Sequence, residues 1–252
     1  MLCSIMKPEV CKSIHLIMRG HKMKKMKKSL VLGSVLAATV MSSAAMAGGL
    51  TGNTGIMSDY FFRGIDQGAS ATANGGVDYD FGNGVDVGTW LADVGTGIEY
   101  DLYGSYSGAY SDFSYSIGYT TYRYTNNAFD STYNEVNLSI GFGPVSIEHS
   151  IGTNEKNDGA ALVAAMTDKP ETDYSFSAIT VEQGGVYATY GTFGKDADGS
   201  YIELGYGMEV GGFDTGIALI KNDEDLAGTL DDDGKDTDDF SMVFSLGKSF
   251  DL

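Results

Sequence analysis

The chain has 252 residues, with 34 Asp and Glu against 16 Lys and Arg and a formal net charge of −18. That balance argues against nucleic acid as a partner, because a phosphate backbone is bound by a basic surface. Both cysteines, Cys3 and Cys11, lie in the first segment, so the remainder carries neither disulfides nor thiolate metal sites.

The first element in chain order is an export signal. A basic stretch, "MKKMKKS" (residues 23–29), precedes the apolar run "LVLGSVLAATVM" (30–41), and "SSAAMA" ends in the small-residue pattern Ala45-Met46-Ala47. This order describes a secretory signal peptide cleaved after Ala47. The 12-residue apolar run is too short for a membrane helix, which needs about 20 residues. Met23 or Met26 gives a conventional start, so residues 1–22 read as an upstream extension. Removal of residues 1–47 leaves eight Lys and Arg against 33 Asp and Glu, a net charge of −25.

Residues 48–252 alternate with period two, rich in Tyr, Phe, Val and Ile and cut by Gly. In 113–120 and 135–142, for example, every second residue is apolar or aromatic. Such alternation predicts strands. We place twelve, near 50–63, 70–81, 85–93, 98–107, 112–124, 132–142, 145–152, 173–182, 185–193, 200–209, 213–221 and 239–250. The stretch 158–169 is the nearest thing to a helix. Every second connection is tight, at 82–84, 108–111, 143–144, 184–185 and 211–212, while 153–172 and 222–238 are long and polar. An even strand count with short turns at one end and long loops at the other is the pattern of a transmembrane antiparallel barrel; ten strands is the next choice. A soluble exported barrel or sandwich shares the period. Two features favour the membrane form: aromatic clusters near strand ends (Tyr60, Phe61 and Phe62; Tyr119, Tyr122 and Tyr124), read as interfacial girdles, and an opposite face rich in Gly and Ser.

The chain ends "SLGKSFDL", placing Phe250 and Leu252 on one strand face after Gly247. This ending resembles the C-terminal signal by which outer-membrane barrels are handed to the barrel-assembly machinery, with Leu252 in place of the usual aromatic residue. The stretches "SDYFFRGIDQ" (58–67), "GTWLADVG" (88–95), "IEYDLYGSYSG" (98–108), "YNEVNLSIGFGPVSIEHS" (133–150) and "FSLGKSF" (244–250) resemble the TorF-family porins. The resemblance implies an outer-membrane barrel of porin type, and it supplies no catalytic residues.

With Phe250 and Leu252 facing lipid, strand parity turns Asp86, Trp90, Glu99, Asp101, Glu135, Glu148 and Glu203 inward, with Arg63 at the end of the first strand. An acidic lumen of this kind favours cations. The same residues also fit a closed barrel, in which the acids pair with Arg63, Arg123 and neighbouring donors. Inward Tyr and Trp filling the axis would mark that closed form. The acidic stretch 222–239 fails the calcium-loop pattern, because the first ligand position falls on Thr229. It reads as a solvated loop, with weak divalent bridging to lipopolysaccharide as the alternative. The mature segment's one histidine, His149, points away from its neighbours Glu148 and Ser150, so no hydrolytic triad forms locally. The expectation is passive diffusion of small hydrophilic solutes, leaning to cations, without enzyme activity, metal or cofactor. The alternative is a closed structural barrel whose loops bind ions or a partner.

Overall fold

The computed structural model describes residues 48–252 except 69, 127, 130, 157–171, 228, 231–235 and 238. The signal peptide, the helix expected over 158–169 and part of the acidic stretch lie outside the described residues. Within them the chain forms β1 (Gly49–Met57), the short pair β2 (Phe61–Phe62) and β3 (Ile65–Asp66), then β4 (Thr72–Asp80), β5 (Val85–Asp93) and β6 (Ile98–Tyr110). There follow β7 (Phe113–Tyr124), β8 (Ser131–Phe142), β9 (Val145–Lys156), β10 (Thr172–Gln183), β11 (Val186–Lys195), β12 (Ser200–Val210) and β13 (Phe213–Asn222). A helical turn (Glu224–Ala227) and the small pair β14 (Thr229–Leu230) and β15 (Asp236–Thr237) precede β16 (Asp239–Asp251).

Twelve of these strands close into one barrel, each antiparallel to its sequence neighbour, with β1 paired to β16 at the seam. The seam register runs from Thr51↔Asp251 to Met57↔Ser245. The expected count of twelve is the observed one, and β5 occupies the expected residues. Two strands run three or more residues further than their alternation suggested, β6 to Tyr110 and β9 to Lys156.

The tight connections all fall at one end. At Gly211 and Gly212 the backbone takes φ of 63° and 81°, the left-handed pair that matches a two-residue hairpin turn to the twist of its strands. The longer connections gather at the other end, and one of them corrects the sequence reading. The first strand does not continue to residue 63. It stops at Met57, bends at Ser58 and Asp59, and re-enters the barrel as the β2–β3 hairpin. Arg63 and Gly64, with φ of 51° and 81°, make that hairpin's turn.

Alternation then sorts the wall. Leu50, Val77, Leu91, Leu102, Ile117 and Leu138 stand exposed on the outer face, while the intervening positions point into the lumen. Inside the loop-side half, Met57, Trp90, Phe176, Tyr201, Ile220 and Val243 pack into one apolar cluster with Tyr60 and Phe61 from the connection after β1. Four inward tyrosines lie flat across the glycine opposite them in the neighbouring strand: Tyr103 over Gly88, Tyr174 over Gly152, Tyr201 over Gly191 and Tyr187 over Gly205. A Cβ at any of these glycines would meet the ring, so the pairing sets how closely aromatic mass hugs the wall.

This placement revises the expected girdles. Tyr60, Phe61 and Tyr122 are buried inside rather than ringing the outer face, whereas Tyr119 is exposed outside. The exposed aromatics at the tight-turn end include Tyr79, Phe81, Tyr106, Tyr110, Phe113, Phe142 and Phe213, with Tyr79 edge-on to Phe81 at 4.8 Å.

Candidate functional site: the lumen and its hairpin

The β2–β3 hairpin carries the single basic side chain that, among the described residues, reaches into the lumen. Arg63 is 9% exposed at its side chain, and its guanidinium is shared among wall residues. Nη1 donates to Glu135 Oε1 at 2.5 Å, and Nη2 donates to Glu135 Oε2 at 3.1 Å, Glu148 Oε1 at 2.8 Å and Ser150 Oγ at 2.9 Å. The guanidinium carbon also sits 4.3 Å from the ring centre of Phe176 and 4.8 Å from that of Phe62. A planar fork satisfies two carboxylate oxygens at once, a geometry that an ammonium does not reproduce. Burial works to lower the Arg63 pKa, but the Glu135 and Glu148 carboxylates outweigh it and hold the group well above its ordinary value.

Glu135 is itself fixed by the wall. Tyr174 donates to it at 2.8 Å, Tyr122 at 3.3 Å and Asn137 at 2.8 Å. Other contacts dock the rest of the connection. Tyr60 donates to Glu99 and stands edge-on to Trp90 at 5.7 Å. Asn222 Nδ2 donates to the Gly64 carbonyl at 2.6 Å. Burial first, then the Glu99 and Asp101 charges, push the Tyr60 phenol well above its ordinary pKa.

The residues singled out from the sequence thus fall into two zones. Trp90, Glu99, Asp101, Glu135 and Glu203 are buried in the wall around the docked hairpin; Glu148 faces the lumen at 26% exposure. Glu203 accepts from Tyr187 at 2.5 Å, and Asp101 Oδ1 is buried without a partner. Asp86 lies in the second zone, toward the tight turns. There it accepts from Ser105 at 2.7 Å and stands directly opposite Asp80. Asp78, next on the same face, accepts from Tyr103 at 2.5 Å and Asn53 at 3.3 Å. Glu182, Glu209 and Asp214 share this end and this parity. Arg123, weighed as a partner for inward acids, is exposed on the other parity of β7.

Sequence reasoning missed Tyr60, Ser150, Phe176 and Asn222 as parts of one assembly. The available signal was local: "FFRG" sets a base and a glycine directly after aromatics, which suits a turn better than a strand end. His149 and its strand neighbours separate as expected. The structure adds a partner, with His149 Nδ1 2.9 Å from Ser177 Oγ across the β9–β10 ladder on the outward parity. Leu138 is its neighbour on the other side. Phe250 and Leu252 are exposed outside, the Phe250 ring covering Gly52 opposite it, while Gly247 faces in between Gly55 and Asp214. No group of three His, Cys, Asp or Glu among the described residues is arranged to hold a metal ion.

Residues 42–250 match a family model described as "Bacterial protein of unknown function (Gcw_chp)". No curated protein matches the sequence. Among solved structures, the chain is similar to the outer membrane protein OpdK from Pseudomonas aeruginosa at 13% identity, with 72% of this chain and 58% of that one covered and a TM-score of 0.37. It thus spans less than two thirds of OpdK. It is similar to an anion-selective porin from Comamonas acidovorans at 11% identity, covering 81% and 98%, with a TM-score of 0.38. For Pseudomonas aeruginosa OprD the values are 12%, 81%, 67% and 0.41. All three likenesses are loose, and the architecture described above rests on the chain's own strand pairing.

Proposed function

The chain belongs to Gcw_chp, a bacterial family of unknown function, and for this member we propose an outer-membrane channel that passes small hydrophilic solutes, leans to cations, and is shut at its loop end in the conformation described. The observation that carries the reading is the division of the wall: exposed Leu, Ile, Val and Phe outside, and carboxylates, Ser and Gly inside. A soluble barrel would bury the apolar face; a lipid-facing barrel shows it outward and is closed so that no strand edge meets hydrocarbon. Aromatics at the tight-turn end then sit at the bilayer interface. The resemblance to TorF-family porins, the export signal and the β16 ending read by barrel-assembly machinery fit the same location, with lipopolysaccharide as a neighbour of the long loops.

Selectivity belongs to the tight-turn end of the lumen. Asp78, Asp80, Asp86, Glu182, Glu209 and Asp214 face inward there, and among the described residues no base shares that face. Rings of carboxylates of this kind draw cations. Glu99, Asp101, Glu135 and Glu203 take a different part: all four are buried, Glu99 held by Tyr60 and Glu135 by Arg63 of the connection after β1, and Glu203 by the wall residue Tyr187.

The packed aromatic cluster favours a second reading, a permanently closed barrel that serves a structural or binding role through its loops. The two separate in planar bilayers under a salt gradient. Discrete current steps with cation preference, more frequent when residues 58–68 are replaced by a short Gly-Ser turn, support the channel. A folded, heat-modifiable barrel that conducts in neither form leaves the structural role.

A further inference from the structure

The lumen contains a binding site that the chain fills with its own residue. Every group holding the Arg63 guanidinium, apart from Phe62, belongs to the barrel wall: Glu135 on β8, Glu148 and Ser150 on β9, Phe176 on β10. The Glu135 oxygens are oriented by Tyr122, Tyr174 and Asn137, which are wall residues too. Withdrawal of the hairpin would therefore leave the cradle intact, with two carboxylates and one aromatic face. The fork geometry at Glu135 and the flat Phe176 face select a planar cation over a point charge.

We infer that this cradle is a guanidinium site for solutes, that a small molecule bearing an alkyl guanidinium group competes with Arg63 for it, and that such a solute thereby releases the hairpin and admits itself. This rests on the reading of the hairpin as a displaceable closure. A tethered group on a short connection acts at an effective concentration on the order of millimolar. Free solute must exceed that level in the wild-type barrel, and far less should suffice once Arg63 is gone.

The test titrates methylguanidinium, with methylammonium as control, against the full barrel refolded in detergent and in lipid. In the Arg63→Ala variant, thermal stability should rise saturably with methylguanidinium and respond at least tenfold more weakly to methylammonium. Adding Glu135→Gln should abolish the difference. In the wild type, chymotryptic cleavage after Phe62, by a protease whose pocket does not take guanidinium, should accelerate with tens of millimolar methylguanidinium, as about ten times the tether's effective concentration requires. This arm needs no variant to fold. Equal responses to the two cations in both arms, or none, would overturn the site. Binding without any bilayer current would keep the site and remove the channel reading; current without selective binding would do the reverse.

Discussion

Replacement of Glu135 by Gln strikes the hairpin at its main anchor. Glu135 is 1% exposed and Arg63 9% exposed at the side chain, so solvent does little to screen the pair. The amide loses the charge and turns an NH2 toward one of the guanidinium nitrogens that Glu135 now serves at 2.5 and 3.1 Å. Loss of one partner from a buried ion pair costs about 3–5 kcal/mol. Glu148, at 2.8 Å but 26% exposed, stays to share the charge, which sets the expectation at the lower end, about 3 kcal/mol. If that cost falls on docking, the undocked fraction rises by a factor on the order of 10². Two assays read it: open probability in a planar bilayer, and the rate of tryptic cleavage after Arg63. An unchanged cleavage rate in a folded Glu135→Gln barrel would refute the view that this pair holds the hairpin.

Gly64→Ala should loosen the same element by about 1–3 kcal/mol, since an L-residue is strained in the left-handed region and crowding adds to it. Gly64 has φ of 81°, and its new Cβ would lie 2.8 Å from the Tyr201 Cβ; faster trypsin cutting checks this. Asp78→Asn with Asp86→Asn should move the reversal potential toward zero under a salt gradient, because both face the unplugged end of the lumen. Phe250→Ala uncovers Gly52 at the seam and should lower the urea midpoint in lipid by an amount equivalent to about 1 kcal/mol, the scale of a cross-strand aromatic contact. Ser177→Ala takes a hydrogen-bond partner from His149 on the outer face and should cost about 0.6 kcal/mol, the average for side-chain hydrogen bonds in membranes, read as a lower urea midpoint in lipid.

The wall was legible in the sequence because period-two alternation survives in every barrel strand, and because glycine marks four of the five tight turns. The lumen was less so. Asp86, Trp90, Glu99 and Glu135 could be turned inward by parity alone, but parity says nothing about whether a side chain meets water or another side chain. Tyr60 and Phe61 show the reason. Aromatic residues near a strand end satisfy two different surroundings, the lipid interface and a packed interior, and only the turn at Arg63 and Gly64 decides between them. The partners that fix Arg63 lie 72 to 87 residues further on, a separation that no local pattern encodes. Tyr122 was misplaced for a related cause, since Thr121 and Arg123 take the outer parity there.

The seam between β1 and β16 imposes an order of events on assembly. Its partners stand about as far apart in sequence as the fold allows, so loop closure is costly and the pairing comes late. Until β16 is in place the sheet has two free edges, each a template for a foreign strand. The hairpin must wait as well, because Asn222, which holds the Gly64 carbonyl, lies 158 residues downstream of it. An early segment thus finds its seat only after nearly the whole wall stands. On this topology the interior closes after most of the wall and is not its nucleus.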